Sequence, residues 1–353
     1  MNLRCSTDLK TKQAILIATR GSALALAQAN MVLSRCRAAF PAGVFELKII
    51  KTTGDKLQTA SLAQENRSLP KGLFTKELEV ALLNHEADLA VHSLKDLPTE
   101  LPAGLCLGAV TPRADVRDVL VYRDAAFLAK QGLAGRGFNP GLDLRQLPDG
   151  AVVATSSTRR KAQLLALHPG LVVTDIRGNV ATRLQKLMSQ PGLDATVLAL
   201  AGISRLNFTL SPEGVLSGDT VPEGGLATVL SLEEMLPCVG QGAIGLEIRA
   251  EDGPIAGLCS GLNDFETMEC VTAERSFLAA MGGGCQSPVG AYAEIMDGVL
   301  RLRAVSFLNE TVRRAEGRGS AGKARELGRQ IAAELAGCAS QRMIPDSRWH
   351  SVS

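Results

Sequence analysis

Three patterns in this 353-residue sequence combine residue types and spacing that could do chemistry. The first is Gly282-Gly283-Gly284-Cys285. Consecutive glycines cost folding entropy and leave the following thiol uncrowded. That suits a sulfur carrying a bulky attachment or acting as a nucleophile, although a lone cysteine is more often a small core hydrophobe. The second is His92-Ser93-Leu94-Lys95-Asp96-Leu97-Pro98, at the end of an apolar run. A carboxylate set among arginines stays ionised and can stabilise a developing positive charge; the plainer reading is a strand-end turn with a Lys95–Asp96 ion pair. The third is a set of arginines at junctions between apolar runs and helical patterns. Arg20 precedes Ser22; Ser157, Arg159 and Arg160 follow residues 151–155; Arg177 follows 171–176, with Arg183 beyond it; Arg205 follows 195–200. In open parallel sheets, ligands bind at the carboxyl ends of strands. Helix N-termini, serine hydroxyls and guanidinium forks there suit carboxylates or phosphates. Four such junctions point to a polyanionic small ligand.

A fourth pattern is a decoy. Gly240-Gln241-Gly242-Ala243-Ile244-Gly245 matches the dinucleotide fingerprint, which requires a strand before it and a helix after it. Here a helical pattern at 232–236 precedes and a strand-like Leu246-Glu247-Ile248 follows, so turn glycines are the better reading. The eight cysteines show no C-x-x-C, and with 4 His in the chain no metal site is expected. Lys+Arg 38 against Asp+Glu 36 leaves a net charge of +2 and removes the generic case for nucleic acid or a membrane surface. With 1 Trp, 2 Tyr and 9 Phe, base-stacking platforms are scarce. No run is long enough to span a bilayer and no signal pattern opens the chain. A cytoplasmic protein with free thiols, probing small molecules as a monomer, is the expectation.

The elements that must position these residues alternate. Residues 15–19, 45–52, 88–93, 105–110, 151–155, 171–176 and 195–200 have strand character. Helical patterns cover 22–40, 73–85, 158–167 and 179–188, and Phe74, Leu78 and Leu82 make one stripe of the second. The alternation predicts an α/β fold with mainly parallel sheets. Residues 123–150 and 207–230, dense in Gly and Pro, are expected to be surface loops with little structure of their own. Beyond 264 the pattern changes to a helix with Glu274 and Arg275, a hairpin turning at Met296-Asp297-Gly298, and a final helix over 323–336. This predicts a smaller C-terminal α/β domain over 264–353. No internal repeat is evident.

From about Ile15 to Leu335 the chain resembles the porphobilinogen deaminase family. The agreement lies in Ile17-Ala18-Thr19-Arg20-Gly21-Ser22, in residues 71–79 from Lys71 to Glu79, and in His92–Pro98. It continues through Thr155–Arg160, Arg177–Arg183, Val239–Ala243 and Gly283-Gly284-Cys285-Gln286. The resemblance implies two periplasmic-binding-protein-like domains, the first discontinuous over 12–112 and 240–260, the second over 115–237, with the third carrying the cysteine. It implies hydroxymethylbilane synthase activity in porphyrin and heme biosynthesis. Four porphobilinogen units condense in turn, each losing ammonia, onto a dipyrromethane cofactor held by Cys285 through a thioether, and water releases the linear tetrapyrrole. Asp96 matches the family acid that contacts pyrrole N–H groups and stabilises an azafulvene-like cation. Arg20, Arg159, Arg160, Arg177, Arg183 and Arg205 match arginines that hold acetate and propionate groups, assisted by Ser22, Lys95 and Ser157. Arg67, Lys71, Phe74 and Gln28 are further candidates.

Some positions depart from the family pattern. Arg67 stands where lysine is frequent, keeping charge but changing its geometry, and Ala23 and Ala27 replace larger residues. A non-catalytic anionic solute-binding protein of the periplasmic-binding class is the alternative; it gives Cys285 no use.

Overall fold

Aliphatic and β-branched runs become strands where neighbouring layers can cover both faces. In chain order these begin with β1 (Ile15–Arg20), β2 (Phe45–Ile50), β3 (Leu89–Ser93), β4 (Leu105–Val110) and β5 (Asp118–Arg123). Next come β6 (Val152–Ala154), β7 (Val172–Thr174), β8 (Ala195–Ala199), β9 (Thr209–Leu210) and β10 (Leu216–Ser217). The last are β11 (Gly225–Val229), β12 (Ile244–Arg249), β13 (Val289–Met296), β14 (Val299–Ser306) and β15 (Arg313–Ser320). The structure is a computed structural model and describes residues 14–53, 74–284 and 286–337. Cys5, Arg67, Lys71, Cys285 and Cys338 lie outside the described residues.

The chain divides into two units. The first takes Met1–Asp115, Ala201–Asn207 and Gly240–Met268. Its sheet has the order β2-β1-β3-β12-β4. β1 is parallel to β2 and β3, and β12 lies antiparallel between β3 and β4. Four strands therefore run one way and β12 alone runs against them. The helix Ala23–Ala39 begins where Ser22 turns extended and its Oγ accepts the Ala25 N–H at 3.3 Å. Its Ala29, Val32 and Cys36 join Ile17, Leu89 and Leu246 in the core.

The second unit takes Val116–Leu200, Phe208–Val239 and Glu269–Ser353. Its main sheet, β11-β5-β8-β6-β7, repeats the arrangement of the first: four strands run one way and β5 against them. Leu120, Tyr122, Val153, Leu164 and Val197 form its core. The C-terminal part has its own antiparallel sheet, β13-β14-β15, whose core holds Phe277, Leu302 and Ile331. Phe277 belongs to the helix Phe265–Ala280 and Ile331 to the helix Ala324–Gly337. The β13–β14 hairpin turns on Asp297 and Gly298, with φ of 52° and 75°, the geometry of a two-residue type I′ turn.

Two expectations fail here. Residues 123–150 and 207–230 are not unstructured surface loops. Arg123 is buried and donates to the carbonyls of Arg136, Leu187, Gln190, Pro191 and Leu193. The helix Ala125–Gln131 is capped by Asp124 and ends on Gly132 in the left-handed region, and Leu142, Leu144 and Leu147 enter the core. β11 in the other segment pairs with β5 and buries Leu226. The density of Gly and Pro marks turns between these pieces and hides their short apolar spacing. Residues 232–234 form a turn and 235–236 are irregular rather than helical, with Pro237 barring extension of a helix.

Candidate functional site

The candidates fall into one group in each unit. In the first, β1 and β3 are adjacent and parallel, so Arg20 and the exit of β3 share an edge of the sheet. The Arg20 guanidinium lies 4.2 Å from the centre of the Phe74 ring, a cation–π contact that holds it in place. Ser93, the last residue of β3, donates its hydroxyl to Gln28 Oε1 at 2.9 Å. Gln28 is buried and its Nε2 has no hydrogen-bond partner among the described residues. After Ser93 the chain makes one 3-10 turn, Leu94–Asp96, pinned by the Leu94 N–H donating to Ala243 O at 3.0 Å. Pro98 stops it from becoming a longer helix. Lys95 is half-buried and the Asp96 side chain is exposed.

Arg205 belongs to this unit. It donates to Gly242 O at 2.6 Å, and its buried Nε has no hydrogen-bond partner among the described residues. Burial pushes its pKa down to about 10, which still leaves it charged at neutral pH. Gly240 and Gly242 have φ of 71° and 84° and lead into β12, not a helix. The dinucleotide reading therefore fails on its structural requirement.

In the second unit, Ser157 and Asn179 cap the helices Thr158–Leu167 and Val180–Ser189. Their side-chain oxygens accept the N–H groups of Arg160 and Thr182. A capping serine spends an acceptor lone pair; its O–H can still be given to a carboxylate. The same holds for Ser22. Ser156 Oγ donates to Ile176 O and accepts from Ile176 N, so the junctions after β6 and β7 are tied together. Arg177 is exposed, and Arg183 donates its Nε–H to Gly178 O at 2.9 Å.

Arg159 and Arg160 are placed in a way the sequence did not indicate. Both are buried and both grip the buried Asp118 at 2.8 Å, one on each carboxylate oxygen. Arg159 also donates to Leu236 O at 2.7 Å and Arg160 to Val197 O at 2.8 Å. Burial alone would raise the Asp118 pKa; the two guanidinium charges and their hydrogen bonds overcome this and hold it well below the usual carboxylate range. Two guanidinium charges against one carboxylate leave one positive charge in excess, and both Nε atoms have no hydrogen-bond partner among the described residues.

The glycine-rich loop is described up to Gly284 and again from Gln286. Its ends are held by Gly284 N–H donating to Ser287 Oγ at 3.0 Å and Ser287 N–H to Gly284 O at 2.9 Å. Thr158, the first helical residue after Ser157, donates its hydroxyl to Gln286 O at 2.5 Å. A Cβ placed on Gly282 or Gly284 would meet nothing within 4 Å. The neighbours of Cys285 thus combine open space with an anchor beside the Ser157 junction. Cys36, Cys106, Cys238, Cys259 and Cys270 are free thiols; burial pushes Cys36 and Cys259 up to about 11 and about 12, so they stay protonated. Among the described residues no cluster of three or more His, Cys, Asp or Glu could hold a metal ion.

Residues 15–256 match the family model described as porphobilinogen deaminase, dipyromethane cofactor binding domain, and residues 268–337 match porphobilinogen deaminase, C-terminal domain. The chain belongs to the porphobilinogen deaminase family. The porphobilinogen deaminase of Syntrophobacter fumaroxidans is 39% identical over 338 residues, which is 95% of this chain and 98% of that one. That of Desulforamulus reducens is 40% identical over 339 residues, 96% and 99% of the two chains. Among solved structures, a BenM effector binding domain with benzoate aligns at a TM-score of 0.38 and 14% identity, over 71% of this chain and 91% of that one. Membership makes the chain a transferase, a hydroxymethylbilane synthase that condenses porphobilinogen on a dipyrromethane cofactor. The non-catalytic solute-binding alternative is thereby set aside.

Proposed function

We propose that Asp96 stabilises the positive charge that develops on the incoming pyrrole, and that Cys285 carries the dipyrromethane through a thioether. Arg20, Arg159, Arg160, Arg177, Arg183 and Arg205, with Ser22, Lys95 and Ser157, hold the acetate and propionate groups. The observation that carries this reading is the Thr158–Gln286 hydrogen bond. It fastens the residue next to Cys285 to the helix start that bears Ser157, Arg159 and Arg160. The described residues on either side of Cys285 are compatible with an attached group. Gly282 and Gly284 leave room, and two guanidinium groups on the one Asp118 carboxylate keep an excess positive charge.

When bound, the dipyrromethane supplies the free pyrrole carbon to which porphobilinogen units are joined. The chain's own residues do the rest. Each pyrrole brings two carboxylates, and charge-assisted hydrogen bonds of roughly 1.5–3 kcal/mol apiece hold them in register. Loss of ammonia from porphobilinogen leaves a methylenepyrrole cation. Asp96, on a turn whose start is held by Ala243 O, accepts the pyrrole N–H and lowers the barrier to that loss. Phe74 and Gln28 set the positions of Arg20 and Ser93. We assign three domains, over 12–112 with 240–260, 115–237 and 264–353, and a monomer acting in the cytoplasm. Among the described residues no helix is long and apolar enough to cross a membrane.

Intact mass spectrometry of protein made in a porphobilinogen-producing cell tests the attachment. The expected mass exceeds that of the chain by one dipyrromethane, and Cys285→Ser loses the increment; an adduct retained in Cys285→Ser would place it on another residue. For Asp96→Asn the expected loss is about 10²–10³ in turnover with the adduct unchanged. Turnover near that of the parent would remove Asp96 from the mechanism.

A further inference from the structure

The Gly240–Glu247 segment leads into a strand and lacks the strand–turn–helix setting of a dinucleotide site. Gly240 lies in the left-handed region, where a Cβ would come within 3.1 Å of Leu94 Cγ and 3.2 Å of the main chain at Leu94 and Lys95. A Cβ on Gly245 would come within 2.9 Å of Leu94 Cδ1. Between the two glycines, Ala243 O accepts the Leu94 N–H at 3.0 Å. Further along, Glu247 projects from β12 to the same face as His92, and its Oε2 lies 2.9 Å from His92 Nε2 with both side chains buried. These contacts fall on His92, Leu94 and Lys95, all within the four residues that precede Asp96. The two glycines let the main chains of the turn and of the segment approach; the buried pair fixes the strand from which the turn springs.

We propose that Gly240–Glu247 is the positioning bed of Asp96, with the glycines fitting the Leu94–Asp96 turn and Glu247 holding its root through His92. The proposal rests on the assignment of Asp96 as the charge-stabilising acid. Gly242 O, on the same segment, holds Arg205, so one stretch of chain sets the acid and one of the carboxylate-holding arginines. Neither Glu247 nor His92 touches substrate in this scheme; they are positioning residues.

The test uses the full-length holoenzyme and the variants Gly240→Ala, Glu247→Leu and Glu247→Gln. Leucine fills the glutamate's volume without an acceptor for His92; glutamine keeps an acceptor at the same reach. If Glu247 only fills the core, leucine is tolerated at least as well as glutamine. If it positions Asp96, Glu247→Leu and Gly240→Ala each lose about tenfold or more in kcat, with KM for porphobilinogen within about twofold, and Glu247→Gln regains most of the loss. Intact mass shows the adduct unchanged, and hydrogen exchange of the Leu94 amide quickens in both impaired variants. Gly253→Ala, at a position with nothing within 4 Å, serves as the control and keeps parent values. Placed on Asp96→Asn, either impairing change slows turnover no further, because the group it acts through is already gone. Equal activity of the leucine and glutamine variants overturns the proposal, as does a full multiplicative loss in the Asp96→Asn background. Should Gly240→Ala fail to fold, the Glu247 pair decides alone. Should Asp96→Asn turn over normally, the acid assignment fails, and exchange at Leu94 still decides whether the segment holds the turn.

Discussion

Asp118 anchors both Arg159 and Arg160 in the second unit. It is a buried carboxylate that accepts from two buried arginines, and removing a partner from such an arrangement strands the remaining charges, typically at about 3–5 kcal/mol. Asp118→Asn should therefore lower stability by that order, measured by urea unfolding. The pH dependence has a definite sign. The folded-state pKa lies below the ordinary carboxylate value, so the stabilisation is complete above the unfolded pKa of about 3.9 and is lost as pH falls through the lower folded value. The gap between parent and Asp118→Asn should stay constant from neutral pH to about 5 and narrow below about 4; a gap that widens on acidification would reverse the assignment. The arginines were legible in the sequence because they follow apolar runs. Their anchor was not, since Asp118 stands 41 residues from Arg159 and nothing local marks it. A carboxylate set inside a buried run is the signal available, and Glu247 in Ile244–Arg249 shows it too.

At the scale of elements, the sequence was most informative where an apolar run meets a capping residue. β1, β4 and the helix Thr158–Leu167 fall where expected; β2 and β7 each stop two residues short, and β7 also begins one residue late. β5, β11 and β15, and the two-residue strands β9 and β10, are not among the expected strands. β5 and β11 flank or lie within segments punctuated by Gly and Pro, and β15 carries four charged residues on half-exposed faces, so none shows a clean run. Arg123 explains how residues 123–150 are held. Its guanidinium donates to five main-chain carbonyls, a fork geometry that lysine cannot reproduce. Arg123→Lys should destabilise by several kcal/mol, read as a lower urea midpoint; an unchanged midpoint would show that the five carbonyls are satisfied otherwise. In the C-terminal part, Gly328 lets two helices touch: a Cβ there would come within 2.8 Å of Phe277 N and closer still to Ala273 O. Gly328→Ala should cost about 1–3 kcal/mol through overpacking and leave kcat of the folded enzyme unaltered.

For the molecule as a whole, the near-neutral balance of 38 against 36 says little about the site. Positive charge is concentrated at strand ends, and the ligand is rich in carboxylates. KM for porphobilinogen should therefore rise with ionic strength, by about twofold or more between low salt and 0.3 M, while kcat holds; a salt-independent KM would mean that exposed arginines contribute little. The two main sheets repeat one topology although the sequence shows no repeat, because strand order is set by where the chain turns back and not by which aliphatic residue fills each position. In one respect the sheets differ. The reversed strand of the second, β5, comes first within it, whereas that of the first, β12, arrives last, after residues that build the other unit. On a ribosome this imposes an order. The second sheet has all its strands once Val229 has emerged, while β3 and β4 still lack the strand that joins them. The N-terminal unit is thus made first and completed second. Until Ile244–Arg249 is available, its exposed strand edges need protection, and chains released early should be the ones that proteases clear.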